Sequence, residues 1–406
     1  MERRHFLMGS LAASGLLLGR DARAAGALRG LFGPRREGQP ILVLVELSGG
    51  NDGLNTLVPH GDDAYYRARR VIAHPRADVL DLDGYVGLAP QLKRLRAEYD
   101  EGRLAVVQGA GYPQPNRSHF KSMEIWHTGR ASGRESGPGW IGHLANELWK
   151  DDVDPNRLVH VGSQLPYSLQ SRRHPAVNLQ VPENYRWAGN EEDIAMFETG
   201  SSGAGGSDSQ LDFLRGVMQD ARASSLEVRR AVARYRPVAE YPDESLAQSL
   251  AVCAALIDAQ IGCQVLSVQQ RSYDTHANQL GSHASLLEEL DASLAAFTAD
   301  LRAKGNDSQV CVLAFSEFGR RVSENASGGT DHGTAGPMFV LGSGVRGGVH
   351  GTHPSLTELD ERGDMTFGTD FRSVYGTIVE RHFGVRPERV LGARYPSLDL
   401  LPTRKV

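Results

Sequence analysis

Along the chain the apolar positions fall into two rhythms. Short continuous runs of aliphatic and β-branched residues stop abruptly at glycines and polar residues. They are Ile41 to Leu47, ahead of Ser48-Gly49-Gly50-Asn51-Asp52-Gly53, then Leu104 to Gln108, Gln264 to Val268, Gln309 to Phe315 and Met338 to Leu341. Runs of that length bounded by turn residues predict strands buried on both faces. Between them the apolar residues recur every three or four positions over Pro90 to Tyr99, Gln210 to Arg234, Ser245 to Ala259, Ser285 to Lys304 and Asp370 to Phe383, the last behind the N-cap candidate Thr369. That spacing predicts helices. Alternating strands and helices build a mostly parallel sheet covered on both sides. The expected fold class is therefore α/β, a three-layer sandwich with a mostly parallel central sheet.

The middle of the chain departs from this rhythm. Ser201 to Ser209 is a small, polar stretch flanked by Glu191 to Phe197 and by the long amphipathic helix that follows. We read about 185–245 as a helical insertion over the site, within one domain spanning 25–406, and not as a second domain. At the start of the chain, Arg3 and Arg4 precede an apolar run too short to span a bilayer, with Arg20 and Arg23 behind it. This pattern resembles a twin-arginine signal over 1–24, cleaved after Ala22-Arg23-Ala24. It implies the twin-arginine translocase as a partner, export as folded cargo to a periplasmic or secreted location, and no stable transmembrane segment after cleavage. An uncleaved membrane anchor is the alternative.

Composition narrows the picture little. The 406 residues are 40% hydrophobic and 23% charged with a net charge of -5, and the basic residues form no stripe, so nothing attracts nucleic acid. The three cysteines, Cys253, Cys263 and Cys311, lie in apolar stretches without metal or redox spacing and read as packing residues, a Cys253-Cys263 bridge being the only pairing considered.

The chemistry gathers at the strand ends. Polar clusters follow each predicted strand: Gly50-Asn51-Asp52-Gly53, Asn116-Arg117-Ser118-His119, Asp274-Thr275-His276 and Ser316-Glu317-Phe318-Gly319-Arg320, with Gly329-Thr330-Asp331-His332-Gly333 ahead of the last. In a parallel sheet such segments converge on one edge, where ligands bind. Taken one at a time, an Asp there is a turn or cap residue and a His a surface group. Together, carboxylates and imidazoles suit a divalent metal.

These segments, above all Leu47-Ser48-Gly49-Gly50-Asn51-Asp52-Gly53-Leu54-Asn55-Thr56, Phe315 to Arg320, Asn325 to Gly333 and Asp370-Phe371-Arg372, resemble the exported bacterial proteins of the domain of unknown function 1501 family. That family is grouped with the alkaline-phosphatase and sulfatase-like superfamily. The resemblance covers nearly the whole chain after the signal and implies an alkaline-phosphatase-like fold. It implies Asp52, Asp274, His276, Glu317 and His332 as metal ligands for Zn, Mn or Ca, and Ser118 as the nucleophile at a helix start. Where the superfamily has an Asp-His pair this chain has Glu317-Phe318, which counts against a full two-metal site. His283 is an alternative to His276. Asp331 is either a ligand or the partner that fixes the His332 tautomer.

Arg117 or Arg320 could clamp the non-bridging oxygens of a substrate. In the plainer account Ser118 is only an N-cap, Arg320 pairs with Glu317, and Asp370 and Arg372 merely open the last helix. The expected function is an exported metal-dependent hydrolase of phosphate or sulfate esters, acting on a small-molecule or glycan ester. The alternatives are a catalytically inactive secreted binding or scaffold protein of the same fold, and a phosphomutase or transferase.

Overall fold

The structure, a computed structural model, describes residues 38–130, 137–185 and 209–402. The expected signal over 1–24, the Glu191 to Phe197 segment and the Ser201 to Ser209 stretch up to residue 208 lie outside the described residues.

The strands are β1 (Ile41–Leu47), β2 (Leu57–Val58), β3 (Leu80–Asp81), β4 (Gly87–Leu88), β5 (Leu104–Gly111), β6 (Leu158–Val161), β7 (Val177–Leu179), β8 (Val265–Gln270), β9 (Val310–Phe315), β10 (Gly336–Leu341), β11 (Gly348–His350) and β12 (Thr369–Asp370). Nine of them form one sheet in the order β11-β5-β10-β9-β1-β8-β6-β7, with β12 also on β5, while β2, β4 and β3 form a small separate sheet. All neighbours in the main sheet are parallel except β10, which is antiparallel to both β5 and β9. The reason lies in the connection. Residues 316–335 contain no helix to carry the chain across the sheet, so β10 returns beside β9 in the opposite direction. That long return loop crosses the carboxyl ends of β9 and β1.

The residues of β1 alternate between two cores, as a pleated strand requires. Ile41, Val43, Val45 and Leu47 face one layer, where Leu250 and Cys253 of the helix Ser245–Asp258 and Leu290, Leu294 and Phe297 of the helix Gln279–Ala303 pack. Val228 and Ala231 of the helix Ser209–Arg234 join the same layer. Leu42 and Leu44 face the other, against Trp126 of His119–Thr128, Trp140 and Leu144 of Trp140–Trp149, and Phe371 and Tyr375 of Phe371–Thr377. Trp126 stacks between Phe315 and Phe371 with ring centroids 5.7 and 4.1 Å away. The three layers and the mostly parallel sheet are those expected from the apolar pattern.

Element limits differ where polar residues are buried. The helix expected from Ser285 begins at Gln279, because its first turns bury Gln279 and His283, which apolar periodicity does not register. The last helix is capped by Asp370, whose carboxylate accepts from Arg372 N, and not by Thr369. All three cysteines are buried and unbridged. Among the described residues no helix is long and apolar enough to cross a membrane.

Candidate metal centre

β1, β8 and β9 lie side by side and parallel, so their carboxyl ends deliver Ser48 to Asp52, Arg271 to His276 and Ser316 to Arg320 to one place. Arg320 ties these segments together. Its side chain is buried and donates to the carbonyls of Gly50 (2.6 Å), Thr330 (2.9 Å), Tyr273 (3.0 Å) and Gly49, and to Asp274 Oδ1 (2.6 Å). Arg320, expected to clamp substrate oxygens, is here held by the loops themselves. Its donors are engaged by backbone carbonyls and Asp274, and it pairs with Asp274, not Glu317. A guanidinium suits this role because its planar fork reaches several acceptors at once.

Asp274 is the centre of the cluster. Its Oδ1 lies 3.0 Å from His332 Nε2 and 3.0 Å from His276 Nε2, and its Oδ2 lies 3.5 Å from His119 Nε2. His276 Nε2 and His332 Nε2 are themselves 3.0 Å apart. Burial raises the Asp274 carboxyl, and the Arg320 guanidinium and the His332 bond outweigh that and hold it well below the ordinary carboxylate range.

Each imidazole is fixed from behind. His119 Nδ1 lies 2.8 Å from Glu317 Oε1, His332 Nδ1 lies 2.8 Å from the Arg117 carbonyl, and His276 Nδ1 lies 3.3 Å from Asp331 Oδ1. All three acceptors are oxygens, so in a neutral ring the proton sits on Nδ1 and the Nε2 lone pair faces Asp274. Three lone pairs around one carboxylate repel each other unless a cation lies among them. The bond to Glu317 pushes the His119 pKa up against the effect of burial. Ligand atoms about 2 Å from one ion stand roughly 3 Å apart, which is the separation within the Asp274, His276 and His332 triangle. His119, Asp274 and His332 also each offer a ligand atom within 4.8 Å of one another. A borderline-soft divalent ion fits this donor set of imidazole nitrogen and carboxylate oxygen.

The other expected residues take different places. Asp52 is fully buried, and its oxygens accept from Arg69 Nη1 (2.7 and 2.8 Å), from Leu54 N and Asn55 N at the start of Gly53–Thr56, and from Gln279. Asp52, expected as a metal ligand, is here the buried partner of the Arg69 guanidinium. Glu317, expected as a ligand, lies behind His119: its Oε1 accepts from Gly49 N at 2.9 Å and from His119, and its Oε2 from Ser316 Oγ at 3.1 Å. His283 joins Asn51 Oδ1 at 2.9 Å, away from the His276 position it was weighed against, and Asp331 backs His276, not His332. Arg117 enters through its carbonyl, while its guanidinium pairs with buried Asp364 at 3.1 Å instead of clamping a substrate.

Ser118 occupies the N-cap position of His119–Thr128 but makes no side-chain capping bond, and its side chain is exposed. It stands between two residues bonded into the cluster, Arg117 and His119.

His119 was quoted in the sequence only as a neighbour of Ser118. The Phe318 ring lies 5.0 Å from His119 and 4.8 Å from His332.

A family model described as "Protein of unknown function (DUF1501)" matches residues 106–391. No curated protein matches the chain. Solved structures to which it is similar include the lipoteichoic acid synthase LtaP from Listeria monocytogenes, at 10% identity over 78% of this chain and 71% of that one with a TM-score of 0.35. The PsFucS1 sulfatase from Pseudoalteromonas sp. matches at 12% identity over 94% and 73%, TM-score 0.35. A protein in the alkaline phosphatase superfamily from Vibrio parahaemolyticus matches at 12% identity over 82% and 69%, TM-score 0.35.

Proposed function

The chain belongs to the DUF1501 family, and from its strand-end cluster we propose that it is a metal-dependent hydrolase of phosphate or sulfate esters, exported by the twin-arginine route to a periplasmic or secreted location. One observation carries the reading: three imidazoles, each with Nδ1 held by an oxygen, turn their Nε2 atoms toward Asp274. Asp274, His276, His332 and His119 would hold the ion. A divalent ion there lowers the pKa of a hydroxyl beside it and offsets charge on a phosphoryl or sulfuryl oxygen.

The chain's own residues supply the rest. Arg320 fixes the Asp274 carboxylate, and Glu317 fixes the His119 ring. Ser118 offers an exposed hydroxyl at the start of a helix whose first-turn amides it does not cap, a position that favours an anionic ester group. The departures at Asp52 and Phe318 make a single ion the better count.

The test is elemental analysis of the purified protein beside His332→Ala, followed by an ester screen with Ser118→Ala. The expected result is about one equivalent of Zn, Mn or a similar ion in the wild type, clearly less in His332→Ala. Ser118→Ala should lose turnover yet keep its stability to within about 0.5 kcal/mol, because no cap bond is removed. A wild type that holds no metal even after reconstitution sinks the hydrolase.

A further inference from the structure

Next to the centre the sheet does something its apolar pattern does not require. On the face packed against His119–Thr128, β1, β8 and β6 begin apolar, with Leu42, Leu44, Val265 and Leu158, and end polar, with Glu46, Ser267, Gln269 and His160. The parallel register sets Glu46 beside Gln269 and His160 beside Ser267, so the polar positions form one patch. The patch is built and bonded: Gln269 Nε2 donates to Glu46 Oε1 at 2.6 Å, and His127 Nε2 lies 2.7 Å from Glu46 Oε2. It floors a cleft of about 450 Å³ that is also lined by His119, Asp274 and Glu317, so the cleft opens onto the centre. The walls are apolar, with Met123, Leu165 and Tyr167, and at the mouth stands Phe120, 90% exposed on the first turn of the helix that carries His119.

We propose that this cleft is a binding subsite for a neutral polyhydroxylated ring, in chemical class a sugar. Its role as the alcohol part of the ester rests on the hydrolase reading, but the binding of the ring does not. A floor of carboxylate, amide, imidazole and hydroxyl offers directed acceptors and donors to ring hydroxyls, while apolar walls and an aromatic rim suit the C–H faces of such a ring. An alkyl chain would offer no partner to His160 Nδ1, a buried nitrogen without a hydrogen bond among the described residues. An anionic ring would face the Glu46 carboxylate and be repelled by it, while Arg271, also in the lining, is engaged by Gln269 and Ser163. The cleft volume lies within the range of small-molecule sites.

The experiment is ligand-observed NMR of the full protein with the methyl glycosides of glucose, galactose, mannose and fucose, and with methyl glucuronide as the anionic counterpart. At least one neutral glycoside should bind, the glucuronide should not, and both Glu46→Gln and Phe120→Ala should weaken the neutral ligand at least about five-fold. Phe120 is exposed, so its truncation leaves the core intact even where Glu46→Gln perturbs folding. Wild-type protein stripped of its metal with a chelator should bind the glycoside as the untreated protein does. Retained sugar binding in a protein that holds no metal would therefore uphold the subsite while the hydrolase reading falls. No binding by any neutral glycoside, equal binding of the glucuronide, or undiminished binding in Phe120→Ala would overturn the proposal.

Discussion

At the scale of single residues, Glu317 shows how a carboxylate contributes without offering a ligand atom. Its buried side chain bonds His119 Nδ1, Gly49 N and Ser316 Oγ. A carboxylate behind an imidazole fixes the ring's tautomer and raises the basicity of the nitrogen in front, and losing such a partner typically lowers metal affinity about 10- to 100-fold. Glu317→Gln keeps the shape and removes the charge. Its metal affinity, measured by competition with a chromogenic chelator, should fall by about that factor while the far-UV spectrum stays unchanged. An unaltered affinity would leave Glu317 only a scaffold role. The sequence placed Glu317, Asp274 and His276 at strand ends because each follows an apolar run, and His332 because it precedes one. It could not tell ligand from support, since that depends on which oxygen a ring nitrogen meets across 198 positions of chain between His119 and Glu317. The same limit hid Arg69 behind Asp52.

At the scale of elements, the end of β1 matters more than its middle. Gly49 has φ of +120°, and a Cβ there would meet Asp274 N at 2.5 Å and Tyr273 C at 2.9 Å. The glycine lets the β1 loop lie directly on the β8 loop that presents Asp274. Gly49→Ala should therefore cost on the order of 1–3 kcal/mol in urea unfolding through backbone strain and should also weaken metal binding by displacing Asp274. Gly344→Ala, where a Cβ meets nothing within 4 Å, should change neither. If Gly49→Ala binds metal as tightly as the wild type, the loop contact does not position Asp274. The five longer strands were readable from the sequence because both their faces are buried, giving continuous apolar runs. The short strands β6 and β7, the helix Trp140–Trp149 and the reversed direction of β10 were not, since pairing and direction are set by neighbours. Glu46 inside the run Ile41 to Leu47 and Ser267 inside Gln264 to Val268 are polar letters of the floor, but only the register of β1 against β8 brings them to one face.

At the scale of the whole molecule, two buried imidazoles on opposite sides of the sheet couple the fold to pH. His160 lies beneath the cleft, and His283 lies against Asn51 in the other direction; burial lowers each from 6.5 to about 4. Because the folded pKa is the lower one, the unfolded chain takes up these protons first. The stability the two groups contribute is complete above about pH 6.5 and is lost as pH falls toward about 4, where the folded state also becomes protonated. A shift of that size corresponds to at most roughly 3 kcal/mol per group. Asp52 and Glu46 are held below the ordinary carboxyl range, burial raising each while Arg69 and His127 respectively outweigh it. Their contribution is lost at more acid pH, below about 4, so it does not overlap the histidine window. Metal-free protein under chelator is the right sample, because bound metal adds its own pH dependence. Burial lowers His74, His143, His174 and His353 as well, while His119 shifts the other way, so urea unfolding at steps from pH 7.5 to 4 should show a net fall in stability below about 6.5. His283→Gln, which keeps a donor for Asn51, should fall less steeply than the wild type. An identical slope in the variant would mean that His283 opens to water and titrates normally, and that the packing around Asn51 and Asp52 is looser in solution than the buried hydrogen bonds require.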